Sequence, residues 1–166
     1  MKALLSAAVA AACLMATPAL AEGPASIYGS LGLTHADVDN GVSFELATAR
    51  IGTKFVKYVG VEAEDSMAWE QGKLDGDKVS LRNDWAGYLV TFLPITDNVS
   101  VLARVGYGSS KIKMAGDEES FSGARYGAGI EAYFDDANGV RIDYTRLDNS
   151  DINGDTYSVS YVRKFR

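Results

Sequence analysis

Cysteine is nearly absent from this 166-residue chain, and the single one, Cys13, lies in the extreme N-terminal segment. A disulfide framework and a thiol site are therefore both excluded from the remainder. Cys13 is not expected to carry a lipid, since Ala10-Ala11-Ala12 precedes it without the usual leucine. Positive charge is also short, with 16 Lys+Arg against 22 Asp+Glu and a net charge of −6. That balance excludes a nucleic-acid binder and polybasic docking to an anionic leaflet. There are only 3 prolines and one histidine, His35. After the leader no run of 18 apolar residues occurs, so no spanning helix is expected, and sustained helical periodicity is missing.

What is present begins with a leader. Met1-Lys2 is a positive start, Ala3 to Ala16 is apolar, and Thr17-Pro18-Ala19-Leu20-Ala21 ends in an A-x-A site. Residues 1–21 read as a signal peptide and residues 22–166 as one exported domain. Gly (17) and Tyr (9) point to strands and turns.

Period-2 alternation recurs in eight segments: Ala25–Ala36, Phe44–Val56, Val59–Glu70, Arg82–Leu93, Val99–Ile112, Ser122–Phe134, Val140–Asp148 and Asp155–Phe165. Their length suits tilted membrane strands better than the 5–6 residues common in soluble sheets. Short links at 57–58, 94–98 and 135–139 alternate with longer ones at 37–43, 71–81, 111–121 and 149–154. An even strand number with short turns at one end and long loops at the other is the pattern of bacterial outer-membrane barrels.

The alternation separates two faces. One carries uncharged residues such as Leu31, Ile51, Val61, Val101, Ile130, Ile142 and Val159. The other carries Arg50, Lys54, Glu62, Glu64, Arg104, Arg125, Glu131, Arg141 and Asp143, together with Gly52, Gly60, Gly106, Gly108, Gly127 and Gly129. A soluble barrel would turn the apolar face inward. Glycines on the charged face argue for the reverse, because the interior of an eight-stranded barrel holds only side chains and glycine leaves room for arginine and glutamate. Buried charges must then pair. Arg50 and Lys54 are expected to meet Glu62 and Glu64, while Arg125, Glu131, Arg141 and Asp143 form a second group. Arg82–Leu93 is ambiguous, with Trp85, Leu89 and Leu93 on one side and Tyr88, Val90 and Phe92 on the other.

Six stretches resemble the small eight-stranded outer-membrane β-barrel proteins, the opacity-type and OmpA-like membrane domains of the porin family. They are Ala49-Arg50-Ile51-Gly52-Thr53-Lys54-Phe55, Gly60-Val61-Glu62-Ala63-Glu64, Leu93-Pro94-Ile95-Thr96-Asp97-Asn98-Val99-Ser100-Val101, Arg104-Val105-Gly106-Tyr107-Gly108, Tyr126-Gly127-Ala128-Gly129-Ile130 and Tyr157 to Phe165. The resemblance implies an up-and-down antiparallel transmembrane barrel in the outer membrane of a Gram-negative bacterium, with both termini periplasmic. It also implies a structural or surface role in the cell envelope and at most a narrow pore. Membrane lipids and the outer-membrane assembly machinery are the implied partners, the latter reading terminal aromatics such as Tyr161 and Phe165. Here Phe165 is penultimate, Arg166 follows, and Arg163 stands where an aromatic is usual. Asp65 departs from the outward apolar set and is expected at the upper rim or at a bulge.

No cofactor, metal site or catalytic residue is expected. His35 reads as a rim residue, and the acidic loops (Asp37, Asp39, Asp75, Asp77, Asp117, Glu118, Glu119, Asp148, Asp151, Asp155) read as solvated and lack EF-hand spacing. The alternatives are a soluble periplasmic barrel binding an apolar ligand and a lipid-modifying enzyme using His35. The extracellular partner is not legible.

Overall fold

The computed structural model describes residues 26–38, 42–56, 58–68, 72–74, 77–114, 117–148 and 153–165. The expected leader, residues 1–21 with Cys13, lies outside them, as do Asp39, Asp75, Asp151 and Arg166. The elements are β1 (Ser26–Val38), β2 (Val42–Val56), β3 (Val59–Ala68), β4 (Gly72–Leu74), β5 (Asp77–Pro94), β6 (Val99–Met114), β7 (Asp117–Tyr133), β8 (Asn138–Asp148) and β9 (Gly154–Phe165). All pairings are antiparallel. β1 pairs with both β2 and β9, and β3 pairs with β5, so eight strands close into a ring. The short β4 pairs with the start of β5. Closure removes the unpaired edges that hydrocarbon would penalise by several kcal/mol per group.

The registers fix the geometry of this ring. From Tyr28 the paired positions run through Gly52, Glu62, Tyr88, Gly106, Arg125, Leu147 and Gly154 to Val38, ten residues farther along β1. That climb over eight strands gives a tilt of about 40° and a backbone radius of about 8 Å.

The climb also sets each residue's height. Exposed Trp85, Tyr107, Tyr126, Tyr144 and Tyr157 fall near one level, and exposed Phe55, Leu93, Phe134 and Phe165 near another. The two levels are separated by about 20 Å along the axis. These are the aromatic girdles of a lipid-facing band. Asp65 is registered beside Trp85, so it stands at the upper girdle and not at mid-membrane. Above that girdle the outward face turns polar, with His35, Asp37, Ser43, Glu45, Arg146 and Asp155.

Side chains build the short turns. Thr96 Oγ1 accepts the Val99 N–H at 3.0 Å. Asp135 Oδ1 accepts the N–H groups of Ala137 and Asn138 at 2.8 and 2.6 Å. The Asn138 amide and these N–H donors hold the Asp135 carboxyl below its ordinary pKa.

Two of the longer links are not loops over the lengths expected. Residues 111–114 and 117–121 continue the β6–β7 ladder, and 72–74 with 77–81 form β4 and the start of β5. Once the barrel has set the register, each further pair adds a ladder bond, and the Asp117-Glu118-Glu119 stretch is carried along as strand.

Candidate functional site

Within the barrel the inward residues sort into three storeys. At the periplasmic end, Tyr28, Val90, Phe92, Leu102, Tyr133 and Val162 form a buried apolar cluster. Tyr28 and Phe92 meet edge to face at 6.1 Å. Lys54 Nζ lies 3.7 Å from the Phe92 ring centroid, and Lys164 Nζ lies 3.4 Å from that of Tyr133. Each ammonium thus caps an aromatic face where it leaves the ionic storey or meets water. This resolves the Arg82–Leu93 ambiguity: Tyr88, Val90 and Phe92 point inward, and Trp85, Leu89 and Leu93 point to lipid.

The middle storey is ionic. Lys54 reaches Glu131 at 3.4 Å, and Arg141 holds Glu131 at 2.7 Å and Glu62 at 2.6 Å. Arg104 binds Glu62 at 3.3 Å, Glu64 at 2.9 Å and Asp143 at 2.7 Å. Arg50 binds Glu64 at 2.6 Å and Asp143 at 3.3 Å. Arg125 binds Asp84 at 2.5 Å. Hydroxyls complete the shell: Tyr28 donates to Glu62 and Tyr88 to Glu64, both at 3.0 Å, and Arg50 donates to Ser158 at 3.1 Å. Thr145 accepts from Arg104 at 2.9 Å. Each arginine fork therefore meets acceptors that match its planar donors, the condition under which buried ion pairs offset desolvation.

All nine expected lumen charges lie in this storey, but their partners differ from expectation. Lys54 pairs with Glu131 and not with Glu62 or Glu64. The two expected groups are one network, because Arg141 bridges Glu131 to Glu62 and Asp143 meets both Arg50 and Arg104. The cause is the radius: with walls about 8 Å from the axis, an arginine reaches the opposite strands as easily as the adjacent one.

Asp84 was missed by the sequence reading. The nine expected residues comprise five cations and four carboxylates, and Asp84 makes the storey neutral, at five of each. That imbalance of one positive charge was the available signal. Glycine makes the room the side chains need. A methyl at Gly52 would fall on the Tyr28 ring, and one at Gly108 on the Arg125 guanidinium.

The extracellular storey is an apolar cup. Ala36, Phe44 and Leu46 are buried, with Val38 and Ala68 packed against them. A cavity of about 70 Å3 opens there, walled also by Phe121 and Leu147 and floored by Asp84 and Arg125.

His35 stands outside the barrel, above the upper girdle. Its Nδ1 lies 2.6 Å from Glu45 Oε1, and its Nε2 lies 3.2 Å from Asp37 Oδ1. The Glu45 hydrogen bond, with Asp37 adding to it, raises the imidazole pKa against a smaller opposing effect of burial. Ser43 Oγ donates to Asp37 at 2.9 Å. A serine–histidine pair of the kind a hydrolase needs is therefore not what this cluster presents. Among the described residues no group of three or more His, Cys, Asp or Glu side chains is arranged to hold a metal. Tyr161 faces outward on β9, its hydroxyl bonded to Asn138, and Phe165 lies at the lower girdle.

Comparison with known proteins agrees with this architecture. Ail of Yersinia pestis, solved in complex with the heparin analogue sucrose octasulfate, superposes with a TM-score of 0.63 at 17% identity, covering 85% of this chain and 99% of that one. The N-terminal β-barrel domain of OprF from Pseudomonas aeruginosa gives 0.62 at 10% identity, covering 83% and 97%. OprG, an outer membrane protein of Pseudomonas aeruginosa, gives 0.62 at 11% identity, covering 87% and 97%. At these identities the likeness is one of fold. No curated protein sequence matches the chain. The model of the outer membrane protein beta-barrel domain matches residues 4–165, and the chain is accordingly a member of that family, an integral β-barrel of the Gram-negative outer membrane.

Proposed function

We propose that the protein is a sealed, non-enzymatic barrel serving a structural and surface role in the envelope. The observation that carries this reading is the lumen: an aromatic cluster and a neutral, mutually bonded ionic network, which meet at Lys54 and Arg141, together fill the interior. An open path for hydrated solutes requires a wider ring of strands. The non-enzymatic reading is supported by the carboxylates that occupy both ring nitrogens of His35.

Export and insertion follow from the two ends of the chain. Residues 1–21 act as the signal peptide and are removed after Ala21. The assembly machinery reads Tyr161 and Phe165, which stand on the outward face of the closing strand β9.

The test is flux through the full mature chain in lipid vesicles. Vesicles bearing the protein should retain trapped sucrose as protein-free vesicles do. Rapid sucrose equilibration would replace the sealed reading with that of a pore.

A further inference from the structure

The barrel wall is not equally tall all round. β8 ends at Asp148, whose partner on β7 is Ala124. β7 continues upward from there: residues 117–123 remain paired with β6, from Gly108↔Gly123 to Met114↔Asp117. No described strand pairs with their other edge. Every second residue of this seven-residue stretch thus turns its N–H and C=O away from β6, toward an edge that no described strand covers, and the tip of the stretch stands about 20 Å beyond the upper girdle. Such an edge is a template for an added strand.

Two features bear on what would be added. The cavity of the upper cup lies at the foot of this edge, at the fork where β8 leaves β7, walled by Phe121 and Gly123 on one side and Leu147 and Asp148 on the other. A strand laid along the edge places every second side chain over that mouth. The edge strand itself opens with Asp117-Glu118-Glu119. Lys111 and Lys113 on the paired β6 offset two of these acids, and the remaining acidic excess opposes pairing with a second copy of the same edge and favours a basic partner.

We propose that residues 117–123 of β7 are the docking edge for an extended, cationic peptide segment of an extracellular partner. The segment adds a strand there and seats one apolar side chain in the cavity at the fork. This rests on the outer-membrane surface role and supplies its partner class.

The probe is a ten-residue peptide of alternating lysine and valine, added to the full mature chain in phosphatidylcholine vesicles. Insertion is first checked by the shift in gel mobility on heating, so that failure of the membrane reading is seen separately. The peptide should slow hydrogen exchange of the 117–123 amides by about tenfold or more. The same peptide with every backbone nitrogen methylated should bind at least about tenfold more weakly, since it keeps its charge but cannot pair. A glutamate–valine peptide should not bind. Ala36→Phe, which fills the cavity, should weaken the lysine–valine peptide by about tenfold.

Equal binding of the methylated peptide would overturn the proposal in favour of simple charge attraction. Protection confined to other segments, or none in a heat-modifiable barrel, would overturn it as well. So would protection of 117–123 without peptide that grows with protein density, which would mark copy-to-copy pairing. Unchanged affinity in Ala36→Phe would overturn the seating of a side chain in the cavity.

Discussion

Arg141 and Ile142 are neighbours on β8, and their environments are opposite. Arg141 is 0% exposed and held by two carboxylates, whereas Ile142 is 62% exposed outside the protein. In a water-soluble domain both values would be anomalous. Here acyl chains cover the isoleucine, and the protein is the only partner available to the arginine. The pair shows that burial in this fold follows the solvent and not residue polarity. It also shows that the interior is held by directional ion pairs where most domains rely on apolar area.

The largest effect that could break this contrast is at Arg141. Arg141→Met leaves Glu62 and Glu131 short of their main partner and should cost about 3–5 kcal/mol in urea unfolding from lipid vesicles. Next is the outward neighbour: Ile142→Arg, near the middle of the lipid band, should cost about 2–4 kcal/mol by the same measurement. If the arginine proved harmless there while Arg141→Met remained costly, position and not solvent would be the cause. Gly108→Val, which pushes on the Arg125 guanidinium, should cost about 1–3 kcal/mol. Asp65→Lys, at the upper girdle, should change stability by only about 0–1 kcal/mol.

The smallest effect is a pH dependence at His35. Its pKa is raised in the fold, so its contribution is complete below the ordinary imidazole value and lost as pH rises through the folded value. Glu45→Gln should lower the titration midpoint of His35 seen by magnetic resonance. An unchanged midpoint would remove the hydrogen bond as the cause.

Much of this was legible in the residues. Strict alternation placed Arg50, Glu62, Arg104 and Arg141 on one face, and side-chain period two leaves no other choice once a register is set. The glycines told which face was inside. What could not be read were the partners of each charge, because these depend on the climb of the strands round the ring, a property of all eight registers together. Lys54 and Glu131 are far apart in sequence and on non-adjacent strands, so nothing local predicts their meeting. Asp84 escaped because both faces of its strand are apolar nearby, and the strand extensions at 111–121 escaped because their composition resembles loop.

The most direct test follows methyl protons in lipid nanodiscs. With methyl-labelled Ile51, Val61, Val101 and Ile142, the account predicts cross-peaks from all four to acyl-chain protons, and exclusion of these methyls from the lumen occupied by Arg141 and Glu131. Cross-peaks of these methyls to one another across a common centre, with none to lipid and with Arg141 exchanging freely with water, would contradict it.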